Sequence, residues 1–221
     1  MPDVATDDPQ QIARRTLAEH RSRQLLDAAA RLMERDGSES VSMQALAAEA
    51  GVSVGLIYRY FGSKDEILLA VITQVLDAFA REVPAAIEQA GDDPVFRLAA
   101  AFAAYCRVIN EHRHAAVLTY RESNSLDAAG RQRIKQLEIE TSQPLRDTLR
   151  QGVEAGKFIA DDSDLVAYNL LLLAHAWALK HWYFERTMAL DDYIRAQLAL
   201  TLRAILVAPT AAGDYAELLE K

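Results

Sequence analysis

The residues best suited to chemistry lie between Ser42 and Lys64. Ser53, Tyr58, Tyr60 and Lys64 carry hydroxyl and ammonium groups that can donate hydrogen bonds to phosphate oxygens, the contacts that position a protein on a nucleic-acid backbone. Gln44 and Arg59 are candidates for polar contact with bases or backbone. Val54, Gly55 and Leu56 are small or apolar. They permit close backbone approach to base edges and contact with thymine methyls, but give no bidentate base recognition by Arg or Asn. Plainer uses compete. Leu46, Ile57 and Phe61 suit a core, Tyr58 and Tyr60 suit packing with solvated hydroxyls, and a lone exposed Leu56 is ordinary on a protein surface.

These residues require a particular frame. Ser42 caps a short helix over Met43–Ala50, whose apolar face is Met43, Leu46, Ala47 and Ala50; its N-terminus can face a phosphate. Gly51 ends that helix, and Ser53 caps a second one over Val54–Phe61. Helix, tight turn and second helix make a helix-turn-helix pattern, too small to fold alone. Flanking helices supply its core. One over Arg21–Asp36 repeats Leu25, Ala28, Ala29, Leu32 and Met33 on one face and stops at Gly37. Another, over Lys64–Glu82, is capped by Ser63 with Asp65 and Glu66 in its first turn.

The run from Gly37 through Val41-Ser42-Met43-Gln44-Ala45-Leu46-Ala47 and Ala50-Gly51-Val52-Ser53-Val54-Gly55-Leu56-Ile57-Tyr58-Arg59-Tyr60-Phe61 to Ser63-Lys64-Asp65-Glu66-Ile67-Leu68 resembles the TetR/AcrR family of bacterial transcription regulators. The resemblance covers about residues 21–70 and is far more specific than a lone helix-turn-helix pattern. It implies an N-terminal domain that binds double-stranded operator DNA, followed by a variable ligand-binding and dimerisation domain. It also implies that Ser42, Gln44, Ser53, Val54, Gly55, Leu56, Tyr58, Arg59, Tyr60 and Lys64 face DNA, and that the dimer represses transcription until a small molecule releases it.

The rest reads as all-α, about nine helices in total. The next helices fall at Val95–Glu122, Leu126–Ala155 (kinked or divided at Pro144), Leu165–Arg186 and Asp191–Val207. The expected domains are 1–67 for an N-terminal arm and the DNA-binding unit, 68–209 for ligand binding and dimerisation, and 210–221 for a tail, short helix or disordered. Polar residues unusual for a helical core collect at Tyr105, Tyr120, Arg121, Glu122, Ser123 and Asn124, and at His175, Trp177, Lys180, His181, Trp182 and Tyr183. A pocket between helices is the natural ligand site of a bundle; Tyr105, Tyr120, Arg121, Asn124, Trp177 and His181 are its candidate contacts. Arg121 suits a ligand carboxylate or phosphate, but a structural pairing with a nearby acid is favoured. Around Tyr120–Leu126, His181–Phe184 and Leu190–Ile194 the sequence is more loosely similar to family members tied to fatty-acid or acyl-coenzyme A catabolism, which implies an acyl-type effector. Leu170–Leu173, Leu198, Leu200, Leu202, Ile205 and Leu206 make the last two long helices apolar on more than one face, as a homodimer interface requires; a thick monomer core is the alternative.

Charge fits this division. The chain's 24 Lys+Arg and 32 Asp+Glu give −8, which argues against non-specific coating of nucleic acid. Residues 10–64 hold eight basic and six acidic residues, so a +2 segment is joined to a remainder of −10. Arg14, Arg15, Arg21 and Arg23 form either an arm for phosphate or minor groove or a solvated helix start, the latter favoured. A single cysteine, Cys106, excludes an intrachain disulfide and a cysteine-based zinc cluster. There is no Gly-rich phosphate loop, nucleophile elbow or metal-type His pair, so the sequence predicts no enzyme, metal or cofactor. A helical enzyme or a protein-interaction module is the competing class. The first ten residues carry Asp3, Asp7 and Asp8 and no apolar run, and Leu165–Leu179 is too short to span a membrane, so a cytoplasmic protein is expected.

Overall fold

The computed structural model describes the backbone of residues 9–207 and 214–219, with side chains from residue 20 onward. Eleven α-helices occur among the described residues: α1 (Pro9–Asp36), α2 (Met43–Ala50), α3 (Val54–Tyr60), α4 (Lys64–Gln89), α5 (Pro94–Glu111), α6 (Arg113–Glu122), α7 (Ala128–Glu154), α8 (Ser163–Leu179), α9 (His181–Phe184), α10 (Leu190–Ile205) and α11 (Ala216–Leu219). The chain divides into two compact units, Met1–Val71 and Ile72–Lys221, so α4 contributes to both.

In the first unit the helix ends are set by side chains. The Ser42 Oγ accepts from the Ala45 N–H at 3.1 Å, and the Ser53 Oγ accepts from the Leu56 N–H at 3.2 Å. Gly51 sits at φ 66°, and its N–H bonds the carbonyls that end α2. A side chain there would be strained, so this turn needs glycine. Before α4, Ser63 Oγ accepts from the Glu66 N–H while the Glu66 carboxylate accepts from the Gly62 N–H at 2.9 Å, a reciprocal cap. Leu25, Leu32, Met33, Leu46, Ile57 and Ile67 are buried.

In the second unit α5 is the central rod, packed on α7, α8 and α10. Val95, Leu98, Phe102, Cys106 and Ile109 are all buried along it. Asp93 caps α5 with Pro94 at its first position. The segment after α7 turns at Gly156 and closes as a short antiparallel clasp, Ile159 N–H to the Ile205 carbonyl and Val207 N–H to the Lys157 carbonyl. The tail folds back as α11: Tyr215 is buried, accepts from Lys157 Nζ at 3.0 Å and donates to Asp93 Oδ2 at 2.8 Å.

Several boundaries differ from those expected. Two long helices are interrupted. His112 (φ −103°, ψ 33°) separates α5 from α6, and Lys180 (φ −119°, ψ 26°) separates α8 from α9. Both lie in the bridge region of backbone space and carry no Gly or Pro to mark them. Conversely, α7 runs through Pro144 and α4 through Pro84. In the turn before Pro144, Ser142 Oγ and Arg146 Nη2 both donate to the Ile139 carbonyl. Helix α1 begins at Pro9, so the backbone at Arg14 and Arg15 is helical, while their side chains lie outside the described residues; Arg21 and Arg23 are exposed. Residues 1–8, 208–213 and 220–221 also lie outside them.

Candidate DNA-reading helix and effector cavity

Helix α3 buries one residue completely, Ile57, and turns Gly55, Tyr58, Arg59 and Tyr60 outward. Tyr58 is 54% exposed and Tyr60 39%; Gly55 and Arg59 are exposed beside them, while Val54 and Leu56 are half-buried. A Cβ built on Gly55 meets nothing within 4 Å, so the protein itself does not require glycine there. Gln44 is exposed on α2. Ser42 and Ser53 spend an oxygen lone pair on capping, which leaves each hydroxyl proton for an outside acceptor. Lys64 is half-buried and already committed: its Nζ donates to the Ser38 and Glu39 carbonyls at 3.1 and 2.9 Å. It ties the start of α4 to the α1–α2 turn and keeps one N–H unspent. Helix α3 carries no acid, and the nearby Glu49 lies 3.9 Å from Arg31.

The second unit contains a cavity of about 360 Å³, near the lower end of the ~300–1,000 Å³ typical of small-molecule sites. Its apolar wall comes from Ile72, Val75, Leu76 and Phe79 of α4, Ile109 of α5, and Leu171 and Leu172 of α8. Polar groups come from Tyr105, Thr119 and Tyr120, from Lys135, Glu138, Thr141 and Ser142 of α7, and from Tyr168 and His175 of α8. The Tyr120 hydroxyl is 2.7 Å from His175 Nδ1, with the rings edge to face at 5.5 Å. Burial pulls His175 down to a pKa of about 4, so its imidazole is neutral at neutral pH. Burial also raises Glu138, partly offset by Lys135, and raises Tyr120. The Tyr105 hydroxyl donates to the Thr141 carbonyl.

Of the six expected ligand contacts, the fold brings two, Tyr105 and Tyr120, to this cavity. Trp177 is buried in a separate aromatic cluster with Phe184 and Tyr193, and its indole N–H donates to Asn110 Oδ1 at 2.8 Å. His181 Nε2 lies 2.6 Å from Arg113 Nη1 and 3.2 Å from Glu185, and burial followed by the Arg113 charge lowers its pKa. Arg121 and Asn124 are exposed at the end of α6 and in the following 3-10 turn. These four do not line the cavity. The wall from α4 was visible in the sequence only as an apolar stripe, and Lys135, Glu138 and Tyr168 carried no signal. His175 stood out as a polar interruption of an apolar helix. Cys106 is buried with its thiol pushed up to about 12, which keeps it protonated and inert. No group of three His, Cys, Asp or Glu side chains able to hold a metal occurs among the described residues, nor does any helix long and apolar enough to cross a membrane.

A capped helix-turn-helix unit followed by an all-helical unit with an apolar cavity is the architecture of a transcription regulator that reads DNA. Residues 25–71 match the model of bacterial regulatory proteins of the tetR family, and residues 91–205 match the tetracyclin repressor-like C-terminal domain. The HTH-type transcriptional regulator HbdR of Aromatoleum sp. (strain CIB) is 38% identical over 192 residues, 87% of this chain and 83% of that protein. Among solved structures, the TetR family transcriptional regulator PfmR from Thermus thermophilus superposes with TM-score 0.72 at 29% identity, covering 81% of this chain and 97% of that one. AibR, solved in complex with isovaleryl coenzyme A and operator DNA, shares the fold at TM-score 0.69 and 21% identity, covering 81% of this chain and 97% of its own. The chain belongs to the TetR family of bacterial transcription regulators.

Proposed function

We propose that this regulator is a cytoplasmic homodimeric repressor released from its operator by an acyl-coenzyme A or similar acyl compound. The observation that carries the reading is the face of α3: Gly55, Tyr58, Arg59 and Tyr60 are exposed together, without an acid, on a helix anchored by buried Ile57. Val54, Gly55 and Leu56 approach base edges, and Ser42, Gln44, Ser53, Tyr58, Arg59, Tyr60 and the remaining N–H of Lys64 address phosphates and neighbouring polar atoms.

Dimerisation is supported by α8 and α10, which leave Leu165, Leu172 and Leu200 more than half exposed, Leu200 at 62%. Large apolar residues grouped on two helices mark an interaction surface, and a two-fold pair of reading heads needs one. An acyl effector is supported by the apolar cavity and by the ligand that the structurally similar AibR carries. Helix α4 gives the mechanism a covalent route. It lines the cavity through Ile72, Val75, Leu76 and Phe79, and it begins at Lys64, bonded to the turn ahead of α2. A ligand that binds better to one α4 placement than another shifts the population between DNA-binding and released states.

Mobility-shift titration on DNA fragments selected by the protein tests this. The expected result is a complex that weakens steeply with salt and dissociates on adding isovaleryl-coenzyme A. A complex that ignores every acyl-coenzyme A overturns the effector class, and failure to select any DNA overturns the reading as a whole.

A further inference from the structure

The cavity's polar atoms are spent in a selective way. Thr119 Oγ1 donates to the Ala115 carbonyl, Thr141 Oγ1 to Leu137 and Ser142 Oγ to Ile139, each at 2.8 Å. The Tyr105 hydroxyl donates to the Thr141 carbonyl. Those protons are held by backbone, so the side chains turn mostly carbon toward a ligand.

What remains is the Tyr120–His175 couple. If the Tyr120 hydroxyl donates to Nδ1, the couple retains the Nε2–H donor and a phenolic lone pair. If Nδ1–H donates instead, it retains the phenolic O–H and an Nε2 lone pair. In both tautomers one donor and one acceptor are unspent among the described residues. The imidazole is neutral, so it offers no counter-charge to an anion.

The formal charges of the lining are Lys135 and Glu138, one turn apart on the same helix and cancelling. Burial already disfavours the ionised Glu138, which leaves little compensation for a second carboxylate. The volume, about 360 Å³, is more than twice the ~150 Å³ cavity that holds a benzene ring, so a ring or a branched chain fits with a polar group attached.

Resting on the effector-cavity reading above, we infer that the buried part of the effector is an uncharged acyl group, its thioester or amide carbonyl held by the Tyr120–His175 couple, and that the cavity rejects the corresponding free acid through Glu138. The protein then senses the activated form of an acid rather than the acid itself. Tyr120, His175 and Glu138 are the residues that set this choice.

The test uses neutral thioesters without a nucleotide, isovaleryl- and cyclohexanecarbonyl-N-acetylcysteamine, against isovalerate and cyclohexanecarboxylate, titrated calorimetrically on the full chain. The thioesters are expected to bind at least about tenfold tighter than the acids, the order of a repelled, under-compensated charge. Tyr120→Phe and His175→Leu each lower thioester affinity about three- to tenfold, the range of one neutral hydrogen bond. Glu138→Gln narrows the thioester-to-acid ratio by raising acid affinity, a gain that misfolding cannot produce. Acids that bind as well as thioesters, or a Glu138→Gln ratio that does not move, overturn the inference. If isovaleryl-coenzyme A still releases the operator in that case, the effector reading survives. If no acyl probe binds and the operator complex ignores isovaleryl-coenzyme A, both fall.

Discussion

Substituting Gly55 by alanine separates folding from DNA reading. The position lies in the first turn of α3, and a Cβ placed there meets nothing within 4 Å. Its φ is not in the left-handed region, so alanine adopts the backbone without strain. Replacing a helical glycine by alanine is worth about 0.5–1 kcal/mol through the unfolded chain's entropy. For a protein of this size that raises Tm by roughly 1–4 °C. If the first turn of α3 presses its backbone against base edges, the same methyl intrudes on a close contact. Overpacking of that kind costs about 1–3 kcal/mol, a loss in operator affinity of at least about fivefold at each half-site. Calorimetry and mobility shift on one preparation read both effects. A variant that melts higher and binds operator as before refutes close approach at Gly55. One that melts lower refutes the open environment.

Tyr58→Phe should leave Tm unchanged and weaken operator binding roughly tenfold, the value of a hydrogen bond to a charged phosphate, read by mobility shift. Lys64→Ala should lower Tm as well as operator affinity, because it removes two hydrogen bonds to the Ser38 and Glu39 carbonyls worth about 1–2 kcal/mol together; denaturant melts check this. Gly152→Ala should destabilise by about 1–3 kcal/mol, since the new Cβ would lie 2.0 Å from the Phe158 ring, and adding Phe158→Leu should recover part of the loss in urea unfolding. His175 has a folded pKa of about 4 against 6.5 unfolded, so between those values the unfolded chain binds the extra proton. Its contribution is therefore full above pH 6.5 and lost as pH falls toward 4, roughly 3 kcal/mol at most. Melts of His175→Asn should show a shallower fall across that window than the parent chain.

The two halves of the molecule differ in how openly the sequence declares them. The DNA-reading unit is local: Ser42, Gly51, Ser53 and Ser63 each act within four residues, so cap chemistry and apolar spacing reveal helix, turn and helix directly. The cavity is not local. Its lining comes from α4, α5, α6, α7 and α8, and a residue such as Leu76 or Tyr168 becomes a wall only through the packing of distant helices. Trp177 and His181 look ligand-like as polar aromatics in an apolar run, yet Asn110 takes the Trp177 indole N–H, Arg113 and Glu185 meet the His181 Nε2, and neither residue lines the cavity. Helix ends fail for a similar reason. Breaks at His112 and Lys180 rest on backbone angles that ordinary residues adopt under tertiary constraint, whereas Pro144, a strong breaker by itself, sits inside a continuous α7 whose Leu145 and Leu149 are buried.

The size of the cavity bears on how such a regulator can switch at all. Driving a two-state equilibrium from 1:99 to 99:1 takes a differential affinity of about 10⁴, or ~5.5 kcal/mol. A dimer with one cavity in each subunit divides that into about 2.7 kcal/mol per ligand. At about 0.8 kcal/mol per buried methylene, each ligand must bury three to four more methylene equivalents in the released state than in the DNA-bound one. The α4 wall offers a surface for that difference, because Ile72, Val75, Leu76 and Phe79 are all carried by one helix. A branched five-carbon acyl group can gain or lose that much contact when a single wall shifts. A two-carbon acyl group cannot, since burying it entirely yields only about 1.6 kcal/mol. For the proposed dimer released by an acyl effector, this sets a lower limit on the signal: occupancy by a small acyl group is not enough, and the acyl group must be large enough to press on α4.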